Sequence, residues 1–196
     1  MSPFRNALLR IREYDELVHI SEIARRYFAM NAFDGVLTII GVLMGNLTAG
    51  VDNPKIVVNT GLATCVAMGV SGFWGAYLTE AAERKRGLDE LGRQTLTDLN
   101  NTRIGRASRA AAVTVSLVDG LSPFLAALIV LTPFFVVGLL PSITWAYYAA
   151  LGMALLTLFG LGLFLGRISR GRWLLYGAKT VVAGAASILI ALLLGM

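Results

Sequence analysis

The chain has 196 residues, 56% hydrophobic and 15% charged, with a formal net charge of +5 and a mean hydropathy of +0.69. It is far more apolar than an ordinary soluble domain, and it has no room for a separate soluble one. A positive charge gathered on one soluble patch would suggest nucleic acid, but here the bases are divided among particular loops, which points instead to a polytopic membrane protein.

Apolar runs long enough to cross a bilayer of about 30 Å occur near Ala32–Gly50, Ile56–Thr79, Ala110–Leu140, Ile143–Leu165 and Trp173–Leu194. Bases precede the first run (Arg5, Arg10, Arg12, Arg25, Arg26), follow the second (Arg84 to Arg109) and follow the fourth (Arg167, Arg170, Arg172), and these groups hold 15 of the 17 in the chain. By the positive-inside rule the N-terminus is expected in the cytoplasm and the C-terminus outside, in the cell membrane or that of an intracellular compartment. The expected fold is therefore an all-α integral membrane protein, with a five-helix transmembrane domain over residues 31–196. No cleavable signal is visible, because the first 28 or so residues lack a continuous apolar core.

Residues 1–30 read as a cytoplasmic amphipathic helix, with Leu8, Ile11, Leu17, Ile20, Ile23, Ala24 and Tyr27 at helical spacing and arginines toward anionic headgroups. His19, the sole histidine, reads as an interfacial polar tip.

The first span, NAFDGVLTIIGVLMGNLT, carries Asp34 a turn or two from its cytoplasmic end. A carboxylate among apolar residues costs roughly 2.5–3.5 kcal/mol at a helix centre, so it needs a partner or a wet cavity. At 100° per residue Asp34, Thr38, Gly41, Gly45 and Thr48 share one small, polar face, while Ile39, Ile40, Val42 and Leu43 point elsewhere. That face can bring a second helix close, or Asp34 can simply snorkel or cap. Asn31, Thr38 and Met44 join it as pathway candidates. Gly50, Asp52, Asn53 and Pro54 then signal a turn.

In the second span Met68, Gly72, Gly75, Thr79 and Glu83 fall on one face. Met68 offers a soft sulfur, and Glu80 and Glu83 offer hard oxygens where the helix leaves the membrane, so with Asp34 they form a candidate metal path. The plainer reading makes Met68 core filler and pairs Glu80 and Glu83 with Arg84 and Arg86. The cytoplasmic segment 80–109 reads as a helical continuation, a break at Gly87 and a short amphipathic piece ending at Asn100 and Asn101. Cys65, the single cysteine, excludes an intrachain disulfide.

The third span holds Asp119-Gly120, an echo of Asp34-Gly35 that hints at an internal repeat, and is interrupted by Pro123 and Pro133. The fourth, opening with Trp145, Tyr147 and Tyr148, reads as scaffold with an aromatic anchor. In the fifth, Lys179 either snorkels to the interface or serves as a buried counter-ion for Asp119 or Asp34, which makes Asp119 and Lys179 further pathway or coupling candidates.

NAFDGVLTIIGVLMG, SPFLAALIVLTPFFVVGLLP and GRISRGRWLLYGAKTVVAGAASILIALLLG together resemble the first, third and closing helices of the vacuolar iron transporter family, small five-helix carriers of Fe(II) and Mn(II). The resemblance covers most of the chain beyond residue 28. It implies a homodimer whose first helices line a cation path, with Asp34 as the pathway aspartate, and exchange of metal against protons. In the second helix the chain reads SGFWGAYLT, so the family's methionine falls on Gly72 and its glutamate on Ala76.

The function expected is thus proton-coupled secondary transport of Fe2+ or Mn2+ out of the cytoplasm, with no permanently bound cofactor. The alternative is a non-transporting membrane scaffold or subunit of the same fold, or a carrier for another substrate. No His-rich site, no nucleophile beside a base and no phosphate-binding glycine loop suggests an enzyme.

Overall fold

The computed structural model of the protein describes residue 15, residues 19–169 and residues 171–195. Among these the regular structure is entirely helical: α1 (Ile20–Thr48), α2 (Pro54–Thr95), α3 (Arg103–Phe135), a 3-10 turn at Val137–Leu139, α4 (Ile143–Ile168) and α5 (Trp173–Leu193). All five α-helices are long and apolar enough to cross a bilayer.

Local chemistry sets the ends. α1 closes on Gly50, whose φ of 68° is the left-handed conformation glycine adopts without a Cβ penalty, and the Val51 amide donates to the Asn46 carbonyl across it at 3.0 Å. Asn53 then caps α2, its side-chain oxygen accepting the Lys55 amide at 3.0 Å, with Pro54 in the first helical position where its missing N–H costs nothing. Thr102 caps α3 in the same manner, taking the Gly105 amide at 3.3 Å.

Two expectations about boundaries are corrected. Gly87 does not break the second helix, since α2 runs on for 42 residues to Thr95. The roughly 1 kcal/mol that glycine costs in a helix is outweighed by the strong helix formers Glu83 to Arg86, Leu88, Glu90 and Leu91 on either side. At about 1.5 Å per residue α2 is about 63 Å long, twice a bilayer's apolar thickness. The real stop is Leu96, held at φ 52° with the Thr97 amide donating back to the Gly92 carbonyl at 3.0 Å. In addition, no break marks residue 30. The described residues from Ile20 onward are the first turns of α1, and the rest of the expected surface helix, Asp15 and His19 apart, lies outside the described residues.

The chain gathers into two compact units: Met1–Phe28 with Val70–Gly120, and Ala29–Gly69 with Leu121–Met196. In the second, Val36, Ile39, Ile40 and Leu43 of α1, Val57 and Cys65 of α2, and Ala127, Val130 and Leu131 of α3 are fully buried. Ala146, Ala150, Ala154 and Leu158 give α4 a buried stripe at four-residue spacing. α4 and α5 approach almost backbone to backbone, so that a Cβ on Gly162 would stand 2.6 Å from Gly177 Cα. Small residues at such crossings let helices gain dispersion contacts where lipid offers no hydrophobic drive. Phe134 and Tyr147 pack edge to face at 5.0 Å, and the Tyr147 hydroxyl donates to the Val51 carbonyl at 2.9 Å, fastening the α1–α2 turn. In the first unit Ile20, Ala111 and Val115 form a buried cluster backed by Ile23 and Tyr27.

Candidate functional site

The order of residues in α1 places its acid on an exposed face of the helix. Gly35 is buried against Pro123, where a Cβ would lie 2.6 Å from the proline Cα, and Val36, Ile39, Ile40 and Leu43 continue inward. Asp34 and Thr48 are exposed, Thr38 is half-buried, and a Cβ on Gly41 or Gly45 would meet nothing within 4 Å. The small, polar face read from helical spacing is therefore an open face. Asp34 lies 14 residues before the end of α1 at Thr48, about 21 Å along the axis.

The same unit holds Met44, Met68 and Lys179. Met44 is buried at 2% exposure and fills the core, with its carbonyl accepting the Thr48 hydroxyl at 2.9 Å. Met68 is half-buried. Lys179 is exposed, its ammonium 5.7 Å from the Tyr176 ring centroid, a cation–π arrangement on the outside of α5. Asn31 is half-buried and engaged.

In the other unit Glu80 turns inward. Its Oε1 accepts the Tyr27 hydroxyl at 3.2 Å, and its Oε2 takes Arg84 Nε at 3.0 Å, with each side chain of the ion pair only 13% exposed. Glu83, one turn along, is exposed on the face that also carries the exposed Gly75 and Thr79. Asp119 is buried at 5% exposure. It faces Gly72, where a Cβ would come within 3.0 Å of Asp119 Oδ2. The two halves of the Asp-Gly echo thus have opposite environments, one acid outward on α1 and the other inward on α3.

Among the described residues no three His, Cys, Asp or Glu side chains come together as a metal cluster. Asp34 and Met68 share one unit, and Glu80 and Glu83 share the other. Sequence reasoning missed Tyr27 as a polar partner of Glu80. Its place on the apolar stripe was visible, but a hydroxyl meeting a carboxylate 53 residues away leaves no local signal.

The chain is similar to the uncharacterized protein MJ0645 of Methanocaldococcus jannaschii, with 30% identity over 172 residues that cover 86% of each protein. No family model matches it.

Proposed function

The chain belongs to one family with that archaeal protein, and for it we propose secondary transport of a divalent metal cation, Fe2+ or Mn2+, across a membrane in exchange for protons. The observation that carries this reading is Asp34, an ionisable side chain exposed on the open face of an apolar helix. In hydrocarbon such a carboxylate is unstable unless covered by protein or water. A second copy laid against the same face would cover it, as a two-fold interface places identical residues opposite one another. Gly41 and Gly45 leave room for the approach, and two Asp34 carboxylates would then provide hard oxygen ligands for one cation, with Thr38 below them. Metal binding to a carboxylate displaces its proton, which couples the two ions.

Within this scheme Glu83, exposed beside Thr79, is the acid free to receive the ion from the cytoplasm. Glu80 is already engaged by Arg84 and Tyr27 and acts on the path only if that pair opens. Met68, half-buried on α2, is a soft donor. With Gly72 and Ala76 where the vacuolar iron transporters carry methionine and glutamate, an oxygen-rich path favours Mn2+ over softer ions.

A second reading, a non-transporting membrane scaffold of the same fold, is favoured by those two replacements and by the engagement of Glu80. Proteoliposomes containing the full chain separate the two. Transport requires Mn2+ or Fe2+ flux, dependent on a proton gradient, that Asp34→Ala abolishes. Equal flux in both proteins, or none in the parent, would leave the scaffold.

A further inference from the structure

A second feature lies on the C-terminal part of α2. Tyr77, Ala81, Arg84, Lys85 and Leu88 of α2 line a cleft of about 390 Å³ together with Asn100 and, from α3, Ser108, Arg109, Ala112 and Val113. The short turn at residues 96–102 and the approach of Gly72 to Asp119 make the two helices antiparallel. Tyr77, Ala112 and Val113 therefore lie toward the apolar stretches of their helices, and Arg84, Lys85, Asn100, Ser108 and Arg109 lie toward the polar turn.

The lining of this cleft is basic. Three of its lining side chains are cationic and none is acidic. Arg84 spends its Nε on Glu80, and its Nη2 is buried without a hydrogen-bond acceptor among the described residues. A buried donor left unmade is costly, and a guanidinium is shaped to grip a phosphate with two parallel bonds. Ser108, itself 6% exposed, adds a hydroxyl, while Lys85 and Arg109 are exposed at the rim.

We propose that the cleft between α2 and α3 binds the phosphate headgroup of an anionic phospholipid through Arg84, Lys85, Ser108 and Arg109. Its apolar end receives the first carbons of the acyl chains. The gradient from apolar to basic along one cleft matches an amphiphile at a membrane boundary better than it matches a fully hydrated ion. The proposal depends on insertion of the apolar helices in a bilayer and is independent of metal transport, so loss of flux in Asp34→Ala leaves it untouched.

The test is titration of the detergent-solubilised full chain with phosphatidylglycerol, phosphatidylcholine or inorganic phosphate, read by native mass spectrometry. Because Arg84 is tied to Glu80, the variants are Lys85→Gln with Arg109→Gln at the rim. The control is Arg86→Gln with Arg106→Gln, which removes the same charge from exposed positions outside the cleft. Phosphatidylglycerol is expected to bind at least about tenfold more tightly than phosphatidylcholine, and the rim pair to lose about tenfold while the control pair stays close to the parent, as fits the loss of charge-assisted bonds. Equal binding of the two lipids overturns the proposal, as does equal loss in both variant pairs. Inorganic phosphate that binds and is lost in the rim pair, with phosphatidylglycerol failing to compete, reduces the cleft to a soluble-anion site and overturns the lipid assignment.

Discussion

Gly72 and Asp119 face each other across α2 and α3 so closely that a Cβ on the glycine would stand 3.0 Å from the buried carboxylate oxygen. The position onto which the resemblance to the vacuolar iron transporters would put a methionine is closed in this chain by its own acid. Gly72→Ala needs a shift of a few tenths of an ångström and should cost little, whereas Gly72→Met should destabilise by about 1–3 kcal/mol, the usual range for overpacking. Asp119→Ala in the same molecule should recover part of that loss. Unfolding of the four proteins in detergent, arranged as a double-mutant cycle, checks the coupling, and strict additivity would contradict the contact.

Gly35 presents a harder limit, because the atoms opposite it belong to the backbone and ring of Pro123. A methyl group there cannot be accommodated by a rotamer change. Gly35→Ala should therefore lower stability by about 1–3 kcal/mol, more than Ala at Gly41 or Gly45, which meets nothing within 4 Å and gains helix propensity. Thermal unfolding of the three variants in one detergent ranks them.

The Tyr27–Glu80–Arg84 chain should respond unequally to its members. Tyr27→Phe removes one hydrogen bond of 3.2 Å and is expected to cost about 0.5–1.5 kcal/mol. Glu80→Gln leaves a largely buried guanidinium without its counter-charge and should cost about 2–4 kcal/mol. The reverse order in an unfolding series would show that Arg84 finds another partner.

The open face of α1 makes an assembly prediction. Single cysteines at Gly41 and Thr48 should cross-link between copies under mild oxidation in membranes, while one at Leu189, 57% exposed on α5, should not. The native Cys65 is buried and adds little background. Cross-linking at Leu189 alone would place the interface elsewhere and leave Asp34 without the cover proposed for it.

Asp15 supplies a pH-dependent start to α1. The Ser21 amide donates to its Oδ1 at 2.6 Å, and this bond, assisted by the Ser21 side chain, holds the carboxyl below its ordinary value of 3.8. Stability from a depressed carboxylate is fully present above the unfolded value and is lost as the pH falls through the folded one. Protection of the Ser21 amide from hydrogen exchange, corrected for the intrinsic rate, should therefore hold at neutral pH and fade below about pH 3.8. An Asp15→Ala variant should lack it throughout.

Five long apolar helices, the Gly50 to Pro54 turn and the two faces of α1 could all be read from the chain alone. Each is written in composition, in 3.6-residue periodicity or in a residue's own conformational preference, over a few consecutive positions. The tertiary structure decided which α1 face turns inward, burying Ile39, Ile40 and Leu43 and leaving Asp34 outside. It also decided that Asp119 is the enclosed member of the Asp-Gly pair, and that Glu80 is spoken for by Tyr27. Periodicity gives a helix two sides but does not say which one a neighbour will cover, because that depends on close approaches such as Gly35 to Pro123 between residues 88 positions apart.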